Sequence, residues 1–178
     1  MLVLGAGGLG ACMAFTLSVD GIPFDLVDHL PSRVARVGAA AGGVMRGRGH
    51  PDGEYDVVFD LSGSESGLRA ACKHTRSGGK LCSMSHLDGY TSADFLLAAL
   101  TRRDITFTIS YLNGERDRLR VAASMLEQEW GKDWDGIIGV VPFGEASDAF
   151  EARREAPWCK TLVEIAPLAL GDEKSREA

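Results

Sequence analysis

The sequence has no basic run, no paired-cysteine motif and no long apolar stretch, and each absence removes a class of function. With 19 lysines and arginines against 25 acidic residues the net charge is -6, so a polyanionic backbone would be repelled rather than gathered. Nucleic acid is not an expected partner. The four cysteines, Cys12, Cys72, Cys82 and Cys159, stand singly, which suits neither a zinc ribbon nor a disulfide framework and fits a reducing cytoplasm. No apolar run approaches the roughly 18–20 residues of a membrane span, and no charged segment leads into an apolar one at the start. A membrane contact and a targeting segment are therefore not expected. Internal repeats and low-complexity tracts are also lacking. What remains is one soluble cytoplasmic domain, long enough at 178 residues for a proper core, whose partner is a small molecule or a protein.

Apolar periodicity then organises the chain. LVLG followed by GLGACMAFTLSV reads as a short buried strand, a glycine turn and a helix with Leu9, Met13 and Leu17 on one face. FDLVD is a second strand, PSRVARVGAA a helix beginning near Pro31, and GGVMRG a short third strand. The segment RGRGHPDGE is glycine-rich and too short for a full crossover helix. DVVFDL is a continuous apolar strand, SGSESGLRAACKHTRSGG a turn and a helix with a glycine stop, and KLCSMS a further strand. TSADFLLAALTRRD reads as a helix, ITFTISYL as a strand, and RDRLRVAASMLEQEW as an amphipathic helix with Leu119, Ala122, Ala123, Leu126 and Trp130 on its apolar side. IIGVVPF, a helix in EASDAFEARREA and the strand KTLVEI complete residues 1–167, and the charged stretch 168–178 is expected to fray. Such alternation predicts an α/β fold, a doubly wound, mainly parallel sheet in a single domain.

The opening turn LGAGGLG has the spacing G-x-G-x-x-G. In this architecture Gly5 permits the tight turn, Gly7 lets backbone N–H groups approach a pyrophosphate, and Gly10 lets helix and strand pack closely. The phosphates would meet a helix N-terminus. Close packing alone also explains such turns. Asp28 ends the second strand, where a carboxylate accepts ribose hydroxyls and repels a 2′-phosphate, which favours NAD over NADP; His29 and Arg33 soften that repulsion. The other reading of Asp28 is a helix cap before Pro31, and that of Arg33 a solvated charge.

From residue 2 to about 165 the chain resembles the nucleotide-binding domain of the medium-chain dehydrogenase/reductase family, zinc-type alcohol dehydrogenase branch. The likeness rests on VLGAGGLG, FDLVDHLPSRVARV, YDVVFDLSGSESGLRAACKHTRSGGKLCSMS, RRDITFTISYLNGERDRL, VVPFGEASDAFEARR and CKTLVEI in this order. It implies that Gly7, Gly8, Leu9 and Gly10 hold the pyrophosphate, Asp28 the adenine ribose and Arg33 the adenosine edge. Leu61, Ser62 and Gly63 would contact the nicotinamide ribose, and Ser83, Met84 and Ser85 would line the nicotinamide, with Ser110 and Tyr111 closing the far side. For the serines, ordinary loop chemistry is the alternative.

That family carries its zinc ligands and proton relay in a separate N-terminal domain, whereas here the glycine turn follows Met1 almost directly, as in a domain cut from something longer or in a natural short gene product. A catalytic zinc wants three protein ligands and an open position. Cys82 with His86, four apart, and Cys72 with His74, facing different ways on a helix, supply neither. No zinc is expected on this chain. The short-chain Tyr-x-x-x-Lys pair is missing too, because Phe59, Asp94 and Glu115 follow Tyr55, Tyr90 and Tyr111 at that spacing. His86 is a candidate acid or base, or simply a solvated loop histidine. The tryptophans of EWGKDWDGII, Trp130 and Trp134, either pack under the last helix or mark a partner surface.

The expected function is thus the NAD(H)-binding domain of an alcohol or polyol dehydrogenase-like oxidoreductase, dependent on a separate catalytic domain and dimeric through the edge strand TFTISYL. A non-catalytic dinucleotide-binding scaffold is the alternative. An ATP-dependent adenylating enzyme, which opens on a similar turn, is a third class.

Overall fold

The computed structural model describes residues 1–41, 45–47, 51, 53–84, 94–110, 120, 124, 137–152 and 158–165. The strands are β1 (Leu2–Leu4), β2 (Phe24–Val27), β3 (Met45–Gly47), β4 (Tyr55–Asp60), β5 (Thr75–Ser83), β6 (Thr106–Ile109), β7 (Ile138–Pro142) and β8 (Lys160–Glu164). The helices are α1 (Gly8–Val19), α2 (Pro31–Ala41), α3 (Glu65–His74), α4 (Asp94–Arg103) and α5 (Ala146–Glu151), the last entered through a 3-10 turn at Phe143–Glu145.

Six strands form one sheet in the order β3-β2-β1-β4-β5-β6, and every pairing in it is parallel. The chain runs outward from β1 to β3, returns to the other side of β1, and runs outward again. The order reverses between β1 and β4, and there the strand ends leave a crevice for a ligand. Only residues 48–54 connect β3 to β4, too few for a crossover helix, as the glycine-rich segment predicts.

Both faces of the sheet are covered, which is why its strands read as apolar runs. Alternation in β1 divides the core. Val3 joins Ala11, Ala14, Leu17, Phe24, Leu26, Val34 and Val37 in a cluster with α1 and α2, while Leu2 and Leu4 join Val58, Leu68, Leu81 and Leu96 in a cluster with α3 and α4. The face that α1 buries carries small residues, Gly10, Ala11 and Ala14, beside Phe15 and Leu17. Leu9, expected on the apolar face, is 56% exposed, because close approach to the sheet selects the small-residue stripe instead.

Two expectations change. The helix read through to the glycines at 78 and 79 stops at His74, and Thr75 opens β5 in extended geometry, its hydroxyl donating to the Ala71 carbonyl at 2.7 Å. A buried β-branched residue ends this helix, and Gly78, with φ of 72°, lies where the β4–β5 register shifts. The late strands also do not extend the main sheet. β7 and β8 pair with each other in a separate parallel ladder, because Ile137 and Cys159 just before them pack into the α1–α2 cluster and hold both strands on that face. Of the helix read over 116–130, only Arg120 and Ser124 are described, and both are helical. Trp130, Trp134 and the stretch 168–178 lie outside the described residues.

Candidate functional site

The first turn brings three distant pieces of chain together. Gly5 has φ of 101°, a conformation that side chains resist, and a Cβ there would stand 2.7 Å from the Leu61 carbonyl oxygen. At Gly10 a Cβ would run into the Gly5 carbonyl oxygen, far inside contact distance. Those two glycines are demanded by the fold itself. Gly7 is not. Its φ of -72° and ψ of -166° suit any residue, and a Cβ added there would meet no described residue within 4 Å. It sits at the N-cap of α1 with no side-chain cap hydrogen bond, and it lines the crevice at the positive end of that helix. Gly8 follows, with the aliphatic part of Lys160 from β8 3.4 Å from its Cβ position.

Asp28 closes one flank. Its side chain is 5% exposed, and its two oxygens accept backbone N–H groups, from Ala6 at 2.7 Å and from Leu30 at 2.8 Å. The first bond ties the end of β2 to the glycine turn. The second is a local turn leading into α2, so the capping expected before Pro31 takes the form of an Asx turn that ends at Leu30 rather than a bond to the helix's own first turn. His29, exposed, places Nδ1 3.1 Å from Asp28 Oδ1.

On the opposite flank, Asp60 ends β4 fully buried. It accepts the Ser62 hydroxyl at 2.7 Å, the Ser62 N–H at 3.2 Å and the Ser83 hydroxyl at 3.2 Å. Its own carbonyl accepts the Met84 N–H at 3.0 Å. One carboxylate therefore binds the ends of β4 and β5 together. In the sequence Asp60 reads only as part of an apolar strand. The signal was available, since an acid in an otherwise apolar run needs donors and a serine follows two residues on. Ser64 caps α3 by accepting the Gly67 N–H at 3.1 Å, and a Cβ on Gly67 would collide with the Ser62 hydroxyl.

Between these flanks lies an open cleft of about 710 Å³, within the range of small-molecule sites. Gly5, Gly7, Asp28, His29, Arg33, Leu61 and Ser62 all line it. Pro51, Ser64 and Ser66 also line it and were not anticipated. Of the other candidates, Gly8, Leu9 and Gly10 lie in α1 behind the turn and Gly63 is exposed on the β4–α3 turn with φ of 66°. Ser83 is buried against Asp60 rather than open to the cleft, and Met84 is half-buried beside it. Ser110 is exposed, its N–H donating to the Ser83 carbonyl at 2.9 Å. Ser85, His86 and Tyr111 lie outside the described residues.

Among the described residues no group of three or more His, Cys, Asp or Glu side chains could hold a metal ion, and no helix is long and apolar enough to cross a membrane. Burial raises the pKa of each cysteine thiol, with Cys72 pushed up to about 11 by burial first and by the charge of Asp60 second. None is held as the thiolate that nucleophilic or metal chemistry needs.

No protein-family model matches the sequence, and no curated protein matches it. Solved structures match its fold. A short chain alcohol dehydrogenase from Escherichia coli, complexed with the cofactor NADH, is 17% identical with a TM-score of 0.72, over 92% of this chain and 51% of that one. Benzyl alcohol dehydrogenase from Acinetobacter calcoaceticus is 19% identical with a TM-score of 0.74, over 93% of this chain and 49% of that one. The yhdH oxidoreductase from Salmonella enterica, in complex with NADP, is 16% identical with a TM-score of 0.67, over 93% of this chain and 54% of that one. The chain spans about half the length of the dehydrogenases it matches. It therefore has the doubly wound α/β fold that these oxidoreductases carry over half their length, and its resemblance to the nucleotide-binding domain of the medium-chain dehydrogenases is one of fold as well as of motif.

Proposed function

We propose that this domain binds a nicotinamide dinucleotide, NAD(H) in preference to NADP(H), and serves as the cofactor half of an alcohol or polyol dehydrogenase whose substrate and zinc are held by a separate catalytic domain. The carrying observation is Gly7. Neither backbone geometry nor packing among the described residues calls for glycine there, and what its missing side chain leaves is room above a helix N-terminus in the cleft. A pyrophosphate fits that room, with the partial positive charge of the α1 N-terminus beneath it. Asp28 holds the sugar end. A carboxylate offers about four acceptor positions; the N–H groups of Ala6 and Leu30 use two and His29 Nδ1 stands at a third, so one remains for a ribose hydroxyl while a 2′-phosphate meets like charge. With the adenosine on the β2 side, the rest of the molecule extends over the ends of β4 and β5. The nicotinamide supplies hydride exchange with an alcohol or carbonyl carbon when bound.

The late ladder supports a protein partner. A two-stranded sheet is marginal by itself, and Val140, Phe143, Phe150, Leu162, Val163 and Ile165 on and around it are exposed. A catalytic domain seated there would cover them. Calorimetric titration of this chain with NADH and NADPH tests the reading. NADH is expected to bind the more tightly; binding of neither would sink it.

The second reading, a dimeric scaffold that binds cofactor without catalysing, is favoured by β6. Among the described residues that strand is the edge of the main sheet, and Thr106, Thr108 and Ile109 on it are exposed. Edge-to-edge pairing of two copies would satisfy the open N–H and C=O groups. Sedimentation is expected to give a dimer, and a strict monomer at high concentration would count against pairing through β6 in either reading.

A further inference from the structure

We infer that Asp60 is a positioning residue for the nicotinamide half of the dinucleotide, acting by holding the Ser62 hydroxyl as a hydrogen-bond acceptor at the mouth of the cleft; this rests on the cofactor reading above. A carboxylate has acceptors only, and Asp60 faces donors from Ser62 and Ser83. At 2.7 Å the Ser62 proton is committed inward, so the lone pairs of that oxygen are what Ser62 turns outward. Among the described residues they meet only the N–H and the hydroxyl of Ser64, each at 3.3 Å, which is long enough for a ligand hydroxyl to displace. Ser62 lines the cleft; Asp60 lies fully buried beneath it.

Other parts of the structure keep Ser62 in place. The Leu61 carbonyl oxygen fills the space a Cβ on Gly5 would need, so the turn after β4 lies close against the glycine turn, and Gly67 is bare of a side chain where the Ser62 hydroxyl passes. Through Ser83, the same carboxylate reaches the end of β5. One buried acid thereby sets the proton direction and position of a hydroxyl on the side of the cleft opposite Asp28. The group it serves is a sugar hydroxyl, which can donate to Ser62, on the half of the ligand that lies away from the adenosine.

An affinity comparison between ligands tests this, because 5′-AMP carries only the adenosine half. Asp60→Asn replaces one acceptor with an amide that faces a donor, and Ser62→Ala removes the hydroxyl. Each is expected to weaken NADH binding about tenfold, the value of one hydrogen bond, while leaving 5′-AMP binding within about twofold of the parent. The double variant should be no weaker than either single one, since both remove the same contact. A parallel fall for 5′-AMP and NADH would reduce Asp60 to a structural acid and overturn the assignment. Unchanged NADH affinity in both variants overturns it as well, with the cofactor reading intact. A parent chain that binds neither ligand removes both together. Should Asp60→Asn not fold, Ser62→Ala decides alone, and parental NADH binding by it is the overturning result.

Discussion

Gly10→Ala is expected to leave too little folded protein to measure, whereas Gly7→Ala is expected to fold like the parent and lose the dinucleotide. Both glycines belong to one motif, and the structure gives them opposite reasons for being there. The methyl group at position 10 would overlap the Gly5 carbonyl, which is backbone and has nowhere to go: the Gly5 N–H is bonded to the Val27 carbonyl at 2.8 Å. Inserting a methylene into a well-packed core costs about 1–3 kcal/mol when side chains can yield, and here none can. A penalty at or beyond that range is a large share of the roughly 5–15 kcal/mol that holds a domain folded. At position 7 the methyl meets open space in an ordinary backbone conformation, and removing a glycine from the unfolded ensemble favours folding by about 0.4–1 kcal/mol. It occupies, however, the approach to the α1 N-terminus, and at least a tenfold loss of NADH affinity should follow. Circular dichroism melts and calorimetry on the two variants are the measurements. A stable Gly10→Ala, or a Gly7→Ala that binds as the parent does, contradicts the division of roles.

Asp28→Ala should destabilise the free protein by about 3–5 kcal/mol, before any ligand is considered. Two backbone N–H groups, of Ala6 and Leu30, depend on the carboxylate, and a hydrogen bond to a charged group is worth about 1.5–3 kcal/mol. Alanine leaves both donors without an acceptor and unties the glycine turn from the end of β2. An asparagine side chain at this position would retain one acceptor oxygen, so Asp28→Asn should lose less stability than Asp28→Ala. Because the residue both holds the turn and faces the sugar, its two roles separate only by comparing variants. Asp28→Asn removes the charge, so the ratio of NADH to NADPH affinity should fall even when each is corrected for folded fraction. Denaturant melts that leave Asp28→Ala at parental stability would show that the bonds to Ala6 and Leu30 carry nothing.

The candidate site was legible in the sequence where its chemistry is local. A glycine turn after an apolar strand and an acid at the end of the next one lie at spacings that chain geometry sets, and the cleft does gather Gly5, Gly7, Asp28, His29, Arg33, Leu61 and Ser62. Ser83 was legible only in position. It stands at the end of β5 as read, yet its hydroxyl turns to Asp60, because the carboxylate beneath the neighbouring strand is the acceptor within reach. Leu9 shows the same limit from the other side: its apolar character suggests burial, but the glycine and alanines of α1 approach the sheet more closely than a leucine can.

The sequence by itself determined the strand and helix alternation, the parallel class of the sheet and the place of the turn at its centre, since periodicity, turn residues and crossover length act over a few neighbours at a time. Only the tertiary structure decided that β7 and β8 stand apart from the main sheet, that Asp28 spans from β2 to the glycine turn, and that Asp60 joins two strand ends. Those are contacts between residues about 20 or more apart in the chain, and nothing in either residue's own surroundings names its partner.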